Sequence, residues 1–138
     1  MGLIHAELDL SNPTRSELSG IKVRAMADTG ALHLCIPQHV ALQLKLNELE
    51  QREVTLADGS KQLIPYVGPV RVRFGNRSCF TGAMVLGDEV MLGAIPMEDM
   101  DLVLRPATRD VSVNPASPNI PASVAKGQRV RLKPAEGK

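Results

Sequence analysis

The chain has 138 residues, a formal net charge of +1 and two cysteines. That length suits one domain with a modest core, and a near-neutral charge without a long basic block argues against nucleic acid as the main partner. Two cysteines make no disulfide framework, and with neither a secretory leader pattern nor an apolar stretch that could span a bilayer, the expectation is a cytoplasmic protein without a membrane partner.

Tyr66, Phe74 and Phe80 are the only aromatic residues, so the core must come from Val, Leu, Ile, Met and Ala. A small aliphatic core is marginal alone, which favours oligomerisation. Residues 3–10 (LIHAELDL) place apolar side chains near period two, a strand pattern. The polar segment 11–20 carries the turn signals Asn12-Pro13 and Ser19-Gly20. Residues 21–27 (IKVRAMA) alternate again, predict a hairpin with the first strand, and lead into Asp28-Thr29-Gly30.

A short strand is expected over 32–36. Pro37 then opens a short helix with Val40, Ala41, Leu44 and Leu46 on one face. Val54-Thr55-Leu56 and Lys61-Gln62-Leu63-Ile64 flank Ala57-Asp58-Gly59-Ser60, and Asp-Gly between strand-like arms predicts a hairpin with a two-residue turn. Strands follow over 67–74, 78–86 and 90–93, separated by Gly75-Asn76 and Gly87-Asp88. Pro96-Met97-Glu98-Asp99-Met100 suits one helical turn with acids at its N-terminus. Residues 102–104 form a last core strand, and 111–113 a further short one. Prolines at 106, 115, 118, 121 and 134 preclude a long helix beyond Arg105. The expected organisation is an all-β domain over 1–121, closed on itself and with one or two short helices, then a basic, solvated tail over 122–138.

Asp28-Thr29-Gly30 sets a carboxylate on a turn beside a hydroxyl and a residue without a side chain. Such a tripeptide arises by chance in roughly a few per cent of chains this long, and Asp and Gly both suit ordinary turns. Its surroundings carry more: an apolar strand leads in, the Asp58-Gly59 hairpin follows, and Met91-Leu92-Gly93 precedes a short helix. This order, from Met26-Ala27-Asp28-Thr29-Gly30-Ala31 through that hairpin to Met91-Leu92-Gly93, resembles the retropepsin-like aspartic proteases. Residues 91–102 and the Asn114-Pro115 to Pro118-Asn119 segment look like the small bacterial members of that clan. The resemblance covers about residues 3–121.

The resemblance implies a closed retropepsin-like barrel, a flap hairpin and an aspartic endopeptidase without cofactor or metal. Peptide hydrolysis of this type uses two neighbouring carboxylates that share one proton. No internal repeat supplies a second Asp28, so the implied enzyme is a homodimer with a two-fold axis between two copies of Asp28. Thr29 would tie the two turns together across that axis, and Gly30 would admit backbone N–H groups to the carboxylate. Ala31 and the flap residues Ala57, Asp58, Gly59 and Ser60 would contact a peptide or protein substrate. Two departures stand out: Ala94 occupies a position where viral members often carry a polar brace, and Tyr66 falls after the hairpin instead of on the flap. The competing expectation is a non-catalytic dimeric binding module on the same fold. His33, Cys35 and His39 match no standard zinc spacing; Cys35 reads as a buried small hydrophobe and His39 as a surface helix residue.

Overall fold

The computed structural model describes residues 3–125, so the basic stretch 126–133 lies outside the described residues. The elements are β1 (His5–Ser11), β2 (Ile21–Ala27), β3 (Leu34–Ile36), α1 (Gln38–Gln43), β4 (Asn47–Thr55), β5 (Lys61–Phe74), β6 (Arg77–Val85), β7 (Met91–Leu92), α2 (Ala94–Asp99), β8 (Leu102–Arg105) and β9 (Asp110–Val113). Six strands close a ring in the order β1-β2-β7-β3-β6-β5, because β1 pairs with β5 as well as with β2. β4 lies outside the ring, on β5. The all-β barrel expected from the alternating segments is therefore present.

Alternation decides the inner face. Ala6, Leu8 and Leu10 of β1 and Ala25 and Ala27 of β2 are buried, whereas Glu7, Lys22 and Arg24 are exposed. Ala6 sits opposite Ala25 in the antiparallel register. Val70, Val72, Leu34, Ile36 and Leu92 complete the interior without a fully buried aromatic ring. Burying each Val, Leu or Ile side chain contributes roughly 1.5–3 kcal/mol. Met84, Met97 and Met100 are buried as flexible filler. In α1 Val40 and Ala41 are buried, with Leu44 packed at its end and Leu46 half-buried, the face that the spacing predicts.

Several local expectations are corrected. The central hairpin is far longer than its Asp-Gly signal, since β4 begins at Asn47 and β5 runs unbroken through the two segments that the sequence suggested. The strand signal in 47–53 is hidden because that segment is almost wholly exposed and therefore polar. The turn is a three-residue loop, not a two-residue one: Leu56 N–H donates to the Ser60 carbonyl at 2.7 Å, and Gly59 takes φ +87°. That is the loop in which a left-handed glycine closes a bulge. The acids of α2, Glu98 and Asp99, lie at its C-terminal end, because the helix begins two residues before Pro96. β8 is not part of the core sheet; it pairs with β9 in a separate two-stranded sheet and is only half-buried. Cys35 is half-buried, with Cys79 the more enclosed of the two.

The connection from β2 to β3 is the least ordinary part of the chain. β7 is parallel to β2 (Met26 opposite Met91) and antiparallel to β3 (Cys35 opposite Met91), so it lies between them. Residues 28–33 must therefore cross the end of β7. They cross at Gly93, where a Cβ would stand 2.4 Å from the His33 carbonyl oxygen and 2.6 Å from the Leu32 carbonyl carbon. No side chain fits there, and both obstacles are backbone.

Asp101 fastens the segment that follows β9. With φ +55° it ends α2, and its carboxylate accepts hydrogen bonds from the Ser117 hydroxyl, from Asn114 Nδ2 at 3.1 Å and from the Ala122 N–H at 2.9 Å. The Ser117 hydroxyl first, then the Ala122 and Asn114 donors, hold this carboxyl down to about 2. Arg77, buried on β6, donates to the Ser117 carbonyl from the other side, and Asn76 Nδ2 reaches the Pro118 carbonyl at 3.0 Å.

Gly93→Ala is expected to lower stability by about 1–3 kcal/mol or more, as overpacking against fixed backbone does; urea unfolding of the two proteins measures it. Asp101→Asn should unfold at a lower temperature than the parent at pH 7. An Asp carboxyl titrates near ~3.9 in an unfolded chain, so the contribution of Asp101 is complete above that value and disappears as pH falls towards about 2. Thermal scans at pH 7, 4 and 2 should show the gap between the two proteins closing in that order.

Candidate active site

Asp28 follows the buried Ala27 at the end of β2, and its backbone N–H donates to the Leu92 carbonyl at 3.1 Å. Its own carbonyl accepts the Ala31 N–H at 3.2 Å, which closes a turn. Inside this turn Asp28 Oδ1 accepts the Gly30 N–H at 2.8 Å. A Cβ on Gly30 would stand 3.1 Å from that same oxygen, so the glycine leaves the carboxylate room to sit on the amide. Thr29 is exposed on the same turn. Ala31 belongs to the strap that holds it down: its carbonyl accepts the Ala94 N–H at 2.8 Å, and the Leu32 carbonyl accepts the Ile95 N–H at 2.9 Å. The first turn of α2 is thus bonded directly to the exit of the Asp28 turn.

The Asp28 turn borders an open cleft of about 550 Å³, lined by Leu3, Ile4, Met26, Thr29, Leu104 and Arg109 among others. Most of this wall is aliphatic. Arg109, at the β8–β9 turn with φ +56°, supplies the cationic side chain. The β8–β9 contribution was not expected from the sequence. The apolar run Leu102-Val103-Leu104 suggested a core strand, whereas Leu104 helps to build one side of this cleft.

Ala57, Asp58, Gly59 and Ser60 form the tip of the β4–β5 ribbon, and all four are exposed. Asp58 Oδ1 accepts the Ser60 N–H at 2.8 Å and the Ser60 hydroxyl at 2.6 Å. The Ser60 hydroxyl and then its amide hold the Asp58 carboxyl below its ordinary range, so this carboxylate is engaged in shaping its own turn. The structure brings Asp28, Thr29, Gly30 and Ala31 together on one turn and sets residues 57–60 apart on another. No hydrogen bond joins the two groups among the described residues.

Other polar side chains separate. His39 is exposed on α1, while His33 lies against Tyr66 and Cys35 borders a smaller hollow beside Met26 and Met91. Among the described residues no three His, Cys, Asp or Glu side chains cluster as metal ligands would. Burial pushes the Cys35 thiol up and the Cys79 thiol up to about 12, so neither is a ready nucleophile. Among the described residues no helix is long and apolar enough to cross a membrane.

The profile of the aspartyl protease family matches residues 15–95, from the β1–β2 connection to the start of α2. A search of curated proteins finds no match. Among solved structures, the chain is similar to the protease of simian foamy virus (mac), at 16% identity over 67% of this chain and 90% of that one, with a TM-score of 0.46. It is also similar to a retropepsin-like aspartic protease from Rickettsia conorii, at 18% identity over 74% and 75% of the two chains, TM-score 0.47. A protein of unknown function from Legionella pneumophila is similar at 15% identity over 78% and 95%, TM-score 0.43. The family match spans more than half of the 138 residues and encloses the Asp28 turn, the ribbon and Gly93: the chain, folded as a closed all-β barrel, belongs to the aspartyl protease family.

Proposed function

We propose that the protein is an aspartic endopeptidase that works as a homodimer, each copy giving one Asp28 carboxylate to a shared site. The observation that carries this reading is the Asp28 turn itself: an exposed carboxylate held by the Gly30 amide, at the edge of an aliphatic cleft. The sequence has one Asp-Thr-Gly, and two carboxylates are needed. A second copy approaching over this turn would bring the missing one and cover Leu3, which is 64% exposed beside the cleft.

The reaction follows from pairing two like charges. Two adjacent carboxylates cannot both ionise easily, so they hold one proton between them. The ionised member takes a proton from water as the water oxygen attacks the peptide carbon. The protonated member gives its proton to the carbonyl oxygen, forming a tetrahedral diol. Collapse of the diol breaks the C–N bond: the amine leaves with a proton from the pair, and one diol hydroxyl returns its proton to the pair as the carboxylic acid forms. The apparent pKa values of this step belong to the pair, not to either residue. Gly30 keeps each carboxylate oriented, Thr29 tethers the two turns across the axis, and Ala31 borders the substrate. The ribbon tip at residues 57–60 covers the substrate and excludes water. Exposed strand edges of the ribbon would hold an extended peptide through main-chain hydrogen bonds. The surrounding aliphatic side chains favour apolar residues beside the cut bond.

Cleavage profiling against a mixed peptide library tests the activity and the side-chain preference together. Asp28→Asn should fold and dimerise as the parent does and lose turnover by about 10³-fold, within the range of acid–base catalysis; undiminished cleavage by this variant would refute the reading. A parent protein that dimerises and binds peptides but cleaves none would instead establish the binding-module alternative. On dilution through the dimer dissociation range, activity should fall more steeply than linearly, in step with the dimer fraction from sedimentation; strict proportionality down to the monomer would exclude a shared site.

A further inference from the structure

The geometry points to Tyr66 as a positioning residue: a clamp that sets the β4–β5 ribbon against the exit of the Asp28 turn. The argument begins with where the ribbon loses support. β5 pairs with both β4 and β6 at Tyr66, opposite Glu50 on one side and Met84 on the other. Towards the tip, β5 pairs with β4 alone. Residues 51–65 therefore form a two-stranded hairpin without a third strand, a structure that is marginal in water without something to pack on. Tyr66 stands at the last position with a third strand, where the ribbon can pivot.

Three contacts converge on its ring. Below it lies Gly82, the diagonal neighbour on β6, where a Cβ would meet ring atoms at 2.2 and 2.4 Å. The ring occupies the space that any larger residue would fill, and a glycine inside a strand commonly marks such an approach. Above it the Arg52 guanidinium lies 3.8 Å from the ring centroid, a cation–π distance, and its Nε is tied to Glu50 at 2.7 Å. At its edge the His33 ring stands at 6.3 Å and 72°, the edge-to-face arrangement that aromatic pairs favour. Arg52 belongs to the ribbon, and His33 to the segment that crosses Gly93 from Asp28. Tyr66 thus joins the ribbon to the catalytic turn through side chains that neither element needs for its own strand pairing.

Hydrogen exchange in the Asp28→Asn background tests the clamp without any need for turnover. Tyr66→Ala should speed exchange of amides 52–63 by about 10-fold, leaving β1, β2 and β6 unchanged. Unchanged ribbon exchange, or equal acceleration throughout the barrel, would overturn the inference. Should Tyr66→Ala fail to fold, Arg52→Gln provides the same readout at a half-buried site outside the core, with about 3- to 10-fold faster ribbon exchange expected. The kinetic consequence rests on the protease reading above. In the cleaving enzyme Tyr66→Ala should raise KM several-fold more than it lowers kcat, Tyr66→Phe should restore both, and adding Arg52→Gln to Tyr66→Ala should change little further, because both remove one contact. A rise in KM that Phe does not rescue would sink the ring-clamp role. If the parent chain cleaves no peptide, the protease reading fails alone and the exchange result still decides the clamp.

Discussion

To leave β2 and reach β3, the chain must pass over the end of β7, and Gly93 is the point where it passes. The clearance there is less than one carbon atom: a Cβ would lie 2.4 Å from the His33 oxygen. Much of the site depends on this passage. β7 can lie between β2 and β3 only if the crossing is close, and closing the six-strand ring requires β7 in that place. The same closeness lets Leu92 accept the Asp28 N–H and lets Ala94 and Ile95 donate to Ala31 and Leu32. The carboxylate is thus held at both ends of its turn by the element that passes beneath it, and its position comes from the backbone topology more than from neighbouring side chains.

This placement explains how a barrel with a small aliphatic interior can carry a defined site. The core is built from short side chains and holds no fully buried aromatic ring, so it lacks the large planar groups that often fix a pocket's shape. Precision at Asp28 is instead carried by main-chain hydrogen bonds of 2.8–3.2 Å around the turn. Such bonds are individually modest in net stability, but they are directional, and direction is what a shared proton demands. The proposed dimer fits the same economy. A chain that places one carboxylate with its own backbone needs a symmetry mate for the second, and apolar surface beside Asp28 offers the contact area.

Much of this was legible in the sequence, for physical reasons that differ by element. Strands with one buried face show themselves by alternation, so β1 and β2 were found together with their hairpin. Asp28-Thr29-Gly30 and Leu92-Gly93 were legible because the turn and the crossing tolerate so few residue types. The start of β4 was not, because both of its faces meet solvent and nothing in NELEQR alternates between apolar and polar. β8 showed a short apolar run but not its destination, since a half-buried strand on a separate sheet can carry the same Leu-Val-Leu run as a core strand. The hub at Asp101 was invisible because its partners Asn114, Ser117 and Ala122 are up to 21 residues away in the chain. Gly82 did carry a signal, a lone glycine inside a strand, but only the structure shows that Tyr66 fills its place.

Tyr66 also changes how the ribbon is understood. The Asp58-Gly59 signal alone marks a hairpin that ends before this residue. With arms running over Asn47–Thr55 and Lys61–Phe74, Tyr66 lies within the second arm, at the boundary between supported and unsupported strand. Under the protease reading the ribbon is a flap, and a flap has two opposed requirements. It must be loose enough to admit a chain, and it must return to one closed position. The bare two-stranded portion meets the first requirement by having little to hold it. The second needs a contact near the pivot, where a small angular restraint governs a large displacement at the tip. Hydrogen bonds between β4 and β5 cannot provide this, because they move with the ribbon. A side chain anchored on Gly82 in the barrel, and touched by Arg52 from the ribbon and by His33 from the segment that follows the Asp28 turn, restrains the ribbon relative to the frame in which Asp28 is held.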